Sequence, residues 1–153
     1  GHNFGVPAEF LCYDRPYTYS EAMSFTLLHD VLVRGSMGSS LEMEAKLWRE
    51  MERFGRKEAK WLPYWSQTCA QTEGSVKASV YSRGSAGAVV VVSNLGAEAA
   101  AASVTIDRGA LELPESLTAR DMLSDEPVEL MDGNRMSFEL KSFGFRVIHI
   151  SPR

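Results

Sequence analysis

A change of hydrophobic period near residue 70 constrains this chain more than any other feature. Upstream, apolar residues recur roughly every 3.6 positions, as on helices. From Ser75 onward they alternate: Val76, Ala78 and Val80 are interleaved with Lys77, Ser79 and Tyr81. Further β-type segments follow in one run: Ala88–Ser93, Ala99–Ile106, and stretches near 117–121, 127–131, 135–141 and 143–150. The alanine run at 99–102 favours helix, but Ser103-Val104-Thr105-Ile106 and the short spacing favour strand. Ala88–Ser93 (AVVVVS) lacks a polar face and reads as a central strand covered on both sides. Asp132-Gly133-Asn134 reads as a hairpin turn joining the strands on either side of it. The expected fold is α+β: an N-terminal strand and helices, then an antiparallel β-sandwich.

The expected division is a helix-rich segment over 1–65, a polar connector over 66–74 and the sandwich over 75–153. In the first part, Phe10-Leu11-Cys12-Tyr13 is a consecutive apolar run, the pattern of a strand buried on both faces in a parallel sheet. Residues 19–33 read as one helix, capped by Thr18 or Ser20 and apolar on every side. Residues 40–54 read as an amphipathic helix, with Ser39 and Glu42 as a capping box and Gly55 as its stop. A lone parallel-type strand and an all-round apolar helix cannot cover themselves. Two arrangements satisfy this: the segment is the tail of a larger domain, or the helices pack across one face of the β domain.

Composition narrows the function classes. The 153 residues are 44% hydrophobic and 24% charged, which excludes a wholly disordered chain. A net charge of -4 argues against general nucleic-acid or anionic-membrane binding, and no apolar run is long enough for a transmembrane helix. Cys12 and Cys69 are too few and too far apart for a disulfide framework or a zinc site, so both are expected as buried free thiols, with a single bridge as the alternative. No metal and no cofactor is expected. The motifs HExxH, GxSxG, the P-loop and GxGxxG are all absent. His29-Asp30 sits on a helix-type stretch where neighbours point about 100° apart, so a structural histidine is expected. The charged run Arg56-Lys57-Glu58-Ala59-Lys60 reads as a solvated turn, or otherwise as a phosphate or sugar-acid site.

Two groups carry candidate chemistry. Asp14 follows the first strand, beside Tyr13, Arg15 and Tyr17; it is the candidate catalytic carboxylate, against a turn-forming or ion-paired role. Tyr13, Trp61, Tyr64 and Trp65 are the candidate ligand-binding residues. The last three, with Trp48, are either a sugar-stacking platform or interdomain glue.

The segments FGVPAEFLCYDRP, SFTLLHDVLVR, LEMEAKLWREMERFG and KWLPYW, followed by VVVVSNLG, RDMLSDEPVEL and FGFRVIHI, resemble the C-terminal portion of bacterial glycoside-hydrolase-like proteins. In these a TIM barrel precedes a small all-β domain. The resemblance covers nearly the whole chain and rests most on the SNLG turn and Arg120-Asp121-Met122-Leu123. It implies that 4–13 is a late barrel strand and 20–54 late barrel helices, and that the acid and nucleophile sit on strands outside this chain. It further implies an accessory role without activity in isolation, the remainder of a catalytic barrel as partner, a polysaccharide or oligosaccharide as ligand, and a secreted or periplasmic setting. A carbohydrate-binding or protein-interaction module is the alternative.

Overall fold

In the computed structural model, which describes residues 9–11, 18–34 and 41–153, the alternating half, joined by two short strands from residues 60–71, forms two antiparallel sheets packed face to face. The larger contains β3 (Lys60–Leu62), β5 (Val76–Ser82), β6 (Ala88–Asn94), β8 (Leu117–Asp121), β9 (Pro127–Val128) and β11 (Phe145–Pro152), in the order β3-β5-β6-β11-β8-β9. The smaller contains β4 (Ala70–Gln71), β7 (Ala100–Ile106) and β10 (Arg135–Leu140), with β7 in the centre. The period of two therefore builds two cores. Val76, Ala78, Val80, Val90, Val92, Ile148 and Ile150 face the smaller sheet, together with Ala102, Val104 and Ile106. Tyr81, Val89, Val91 and Val147 point the other way, onto the helices. Every residue of β6 is buried, as its uninterrupted apolar run predicts. The alanine-rich stretch is strand β7, because its valine and isoleucine fill the inner core.

The helices are α1 (Tyr19–Thr26) and α2 (Leu41–Phe54). Thr18 caps α1 in a reciprocal box: the Glu21 amide donates to its hydroxyl and its own amide donates to the Glu21 carboxylate, at 3.3 and 2.7 Å. Ser39, the expected cap of α2, lies outside the described residues. Met23, Leu28 and Leu47 are fully buried against the large sheet, contributing about 1.5–3 kcal/mol each. The helices thus cover one face of the β domain, and the layers run helices, large sheet, small sheet.

Two readings are corrected. Residues 19–33 are not one helix: α1 ends at Thr26, a 3₁₀ turn follows over Leu27–His29, and Asp30 adopts a left-handed conformation at φ 55°. Aspartate tolerates that conformation better than most residues, and the branched side chains beyond favour strand. Leu32–Arg34 is strand β2, parallel to β1 (Glu9–Leu11), so the first strand does have a parallel neighbour. The second correction concerns Asp132-Gly133-Asn134. The turn forms, but past the single bridge Met131–Arg135 its flanking strands part: β9 pairs with β8 and β10 with β7. The stretch read as a connector, 66–74, carries β4 on the edge of the small sheet.

Candidate functional site

The seam between the helical layer and β5 begins with Ser79. This buried residue points away from the inner core, and its hydroxyl donates to the Leu28 carbonyl at 2.8 Å while accepting the Tyr64 amide at 3.0 Å. One side chain thereby ties the 3₁₀ turn and the segment after β3 to the same strand. Two residues on, the Tyr81 hydroxyl donates to Asp30 at 2.7 Å, and Arg56 pairs with the same carboxylate while lying over the Tyr81 ring. Burial foremost, then the Asp30 carboxylate, pushes the Tyr81 phenol up, so it stays protonated as a donor. The charged run thus enters the seam through Arg56, which pairs with Asp30.

Ring contacts extend from the seam. The His29 imidazole stacks on Trp65 at 5.3 Å and meets Tyr64 edge-on at 5.5 Å, and its Nδ1 bonds to the Phe25 carbonyl at 2.7 Å. Trp61 and Tyr64 both lie edge-on to Trp65, at 5.4 and 5.2 Å. Three of the four ligand-binding candidates, Trp61, Tyr64 and Trp65, are thus brought together; Tyr13 lies outside the described residues, as does Asp14. Trp65 is 38% exposed, yet its ring is engaged by three neighbours. The cluster joins the turn after α1 to the segment after β3. His29 is held in place by these contacts.

A second polar cluster locks α2 to the β domain. Glu50, buried, takes Arg120 from β8 on one oxygen and Arg53 on the other, the latter at 2.6 Å. Arg120 and Lys46 both reach Asp125. Asp121 accepts Arg146 at 2.7 Å and the amides of Leu123 and Ser124 at 2.8 and 3.2 Å, shaping the turn after β8. Met122 inserts into the helical core. The Arg120-Asp121-Met122-Leu123 segment is therefore a structural clamp. Arg120 holds the Glu50 carboxyl below its usual range, the opposite of what a general acid in glycoside cleavage requires.

His149 lies against the same clamp, edge-on to Phe54 at 5.4 Å. Burial, with the Arg120 cation beside it, lowers its pKa below the ordinary 6.5. Below that value the unfolded chain takes up a proton that the folded one resists, so stability falls with pH. Glu50 adds a second loss below its ordinary 4.5, because its lowered folded value must be overcome. The melting temperature is expected to hold above neutrality, decline from about pH 6.5, and decline again below about pH 4.5. His149→Phe should remove the first decline alone, and a first decline unchanged in that variant would exclude His149 as its source.

The third feature is an open polar trough beside the small sheet. One part, about 520 Å³, is bounded by Tyr64, Gln67, Thr68, residues 70–73, Lys77, Ala78 and the outward side chains Ser103 and Thr105 of β7. Sequence reasoning missed it, since outward serine and threonine on a strand look like any solvent face. Cys69, buried in the inner core, is a free thiol whose pKa burial pushes up; Cys12 lies outside the described residues. Among the described residues no group of three or more His, Cys, Asp or Glu could hold a metal ion, and no helix is long and apolar enough to cross a membrane.

No protein-family model matches the chain, and no curated protein is significantly similar to it. Solved structures are similar in fold. α-Galactosidase I from Mortierella vinacea aligns with a TM-score of 0.60 at 14% identity, over 94% of this chain and 38% of that one. A GH27 β-L-arabinopyranosidase from Geobacillus stearothermophilus aligns at 0.55 and 17% identity, over 90% of this chain and 31% of that one. An α-amylase from Anoxybacillus aligns at 0.53 and 12% identity, over 80% and 25%. The chain therefore spans well under half the length of each. At these identities the likeness is one of fold, and it agrees with the glycoside-hydrolase-like character of the resemblance.

Proposed function

We propose that this chain is the C-terminal accessory region of a carbohydrate-active, glycoside-hydrolase-like protein, in which the β-sandwich braces the end of a catalytic α/β barrel. The observation that carries the reading is the fold likeness to glycoside hydrolases, which extends over the helical part as well as the sandwich. Local structure supports it. β1, α1 and β2 form a parallel strand–helix–strand unit, the building block of α/β folds. Its strands have three residues each and, among the described residues, pair only with each other. A two-stranded ladder that short is marginal by itself, so the proposed partner is the set of neighbouring strands of a barrel. The Glu50–Arg120 clamp and the Ser79 link supply the bracing. Catalytic carboxylates belong, on this reading, to the barrel strands, and the setting is secreted or periplasmic.

The test compares the 153-residue chain with a longer natural protein that contains it, using a panel of aryl glycosides. The longer protein is expected to turn over at least one glycoside and the chain none. Turnover by the chain, abolished by Asp14→Asn, would overturn the reading and make Asp14 catalytic. The carbohydrate-binding alternative draws on the partial exposure of Trp65. Saccharide quenching of tryptophan fluorescence, lost in Trp65→Ala, would favour it over glue.

A further inference from the structure

The polar trough is longer than its first part. A second part of about 390 Å³ shares Thr68, Gln71 and Thr105 with it and continues to Asp107, Arg108 and Asn134. Gln71 and Thr105 are register partners across β4 and β7, so their side chains stand together on one face of the small sheet. Ser103, two residues back along β7, belongs to that face as well. The alternate residues Ala102, Val104 and Ile106 are locked in the inner core, which holds this face rigid. Tyr64 also lines it, its ring held in near-perpendicular contacts with His29 and Trp65.

Three properties define what such a trough accepts. Its central groups are uncommitted: among the described residues the Gln71 amide and the hydroxyls of Ser103, Thr105 and Tyr64 make no side-chain hydrogen bond within the chain. Its charges balance, Glu73 with Lys77 in one part and Asp107 with Arg108 in the other. Both cations are partly occupied, Lys77 by the Gly74 carbonyl at 2.9 Å and Arg108 by the Glu115 carbonyl at 3.1 Å. An apolar segment lying here would strip water from hydroxyls without replacing its hydrogen bonds. An anionic chain would meet the Glu73 and Asp107 carboxylates in a lining whose charges cancel, and so gains no net attraction. A neutral chain rich in hydroxyls satisfies the donors and acceptors and can set one ring against Tyr64.

We infer that this trough is a binding site for a neutral oligosaccharide, laid across the Gln71–Thr105 pair with one sugar ring against Tyr64. The choice of ligand class rests on the carbohydrate role proposed above; the trough itself does not. Contacts of this kind are few and solvent-exposed, so binding is weak, with a Kd of order 1 mM.

The experiment is an amide NMR titration of the 153-residue chain with maltohexaose and, separately, with a galactomannan oligosaccharide. At least one probe is expected to shift amides within 68–73 and 103–105 and to saturate. The double variant Ser103→Ala/Thr105→Val alters side chains that face the trough and leaves the inner-core residues of β7 untouched, so it should fold with a nearly unchanged melting temperature and bind about tenfold more weakly. Gln71→Ala provides an independent second variant with the same expected direction. The inference is overturned if neither probe shifts these amides up to about 20 mM. It is equally overturned if the shifts centre on His29 and Trp65 and survive both variants. Aryl-glycoside turnover by the longer protein separates the two proposals: trough binding without that turnover retains the trough and removes the accessory reading, and turnover without trough binding does the reverse.

Discussion

Replacing Gly87 with alanine is expected to cost at least about 3 kcal/mol, enough to prevent stable folding of a marginal domain. Gly87 holds φ 127° and ψ -179°, a region that residues with a Cβ essentially do not occupy. A Cβ there would also lie 2.6 Å from the Ile150 carbonyl oxygen, which is backbone and has no rotamer to adopt. The location multiplies the effect. Gly87 immediately precedes Ala88, the register partner of Ile150, where β6 and β11 pair in the middle of the large sheet. Displacing β11 there disturbs Ile148 and Ile150 in the inner core and Val147 in the helical one. Gly74 is the control: it too has positive φ, at 60°, but a Cβ would meet nothing within 4 Å. Gly74→Ala should therefore cost only the conformational strain, about 1–2 kcal/mol. Urea unfolding of the two variants separates clash from strain. Equal losses would show that the end of β11 yields to the new methyl group.

The second large effect is expected at Asn94, the last residue of β6. Its side chain is buried and fully used. The Oδ1 accepts the Gly96 amide at 2.9 Å and the Ser75 hydroxyl at 2.7 Å, while the Nδ2 donates to the carbonyls of Glu98 and Lys141 at 2.7 and 3.0 Å. One residue thus joins the loop before β5, the turn after β6 and the loop between β10 and β11. Asn94→Ala leaves these partners without it in a site closed to water, a loss of about 2–4 kcal/mol. For a chain of this length that lowers the melting temperature by about 5–15 °C. Asn94→Asp preserves the shape and the acceptor but turns a carboxylate toward two carbonyl oxygens, so it should be at least as damaging at neutral pH. A loss below about 0.5 kcal/mol in the alanine variant would mean that water replaces the amide and that the loops do not depend on it.

The bonds of Asn94 account physically for the SNLG turn, which is legible in the sequence but unexplained by it. The same contrast holds for RDML: Asp121 shapes the turn and Met122 enters the helical core, while the role of Arg120 depends on Glu50, seventy residues earlier in the chain. Of the candidate site residues, Trp61, Tyr64 and Trp65 stand out as large rings close together in sequence. That His29 completes their cluster does not, because it comes from the other side of the seam.

The sequence by itself determined the β-rich second part and the doubly buried β6, and narrowed the cap of α1 to Thr18 or Ser20. Alternation, apolar runs and capping pairs are local signals, and residues near in sequence suffice to produce them. Tertiary structure alone decided where 19–34 passes from helix to strand, because an all-round apolar run satisfies either conformation until its neighbours are in place. It also decided that the strands flanking Asp132-Gly133-Asn134 part company and that Gln71 stands beside Thr105. Both are questions of register and sheet assignment. They are settled by which faces can be buried together over long sequence separations, and no local pattern encodes that.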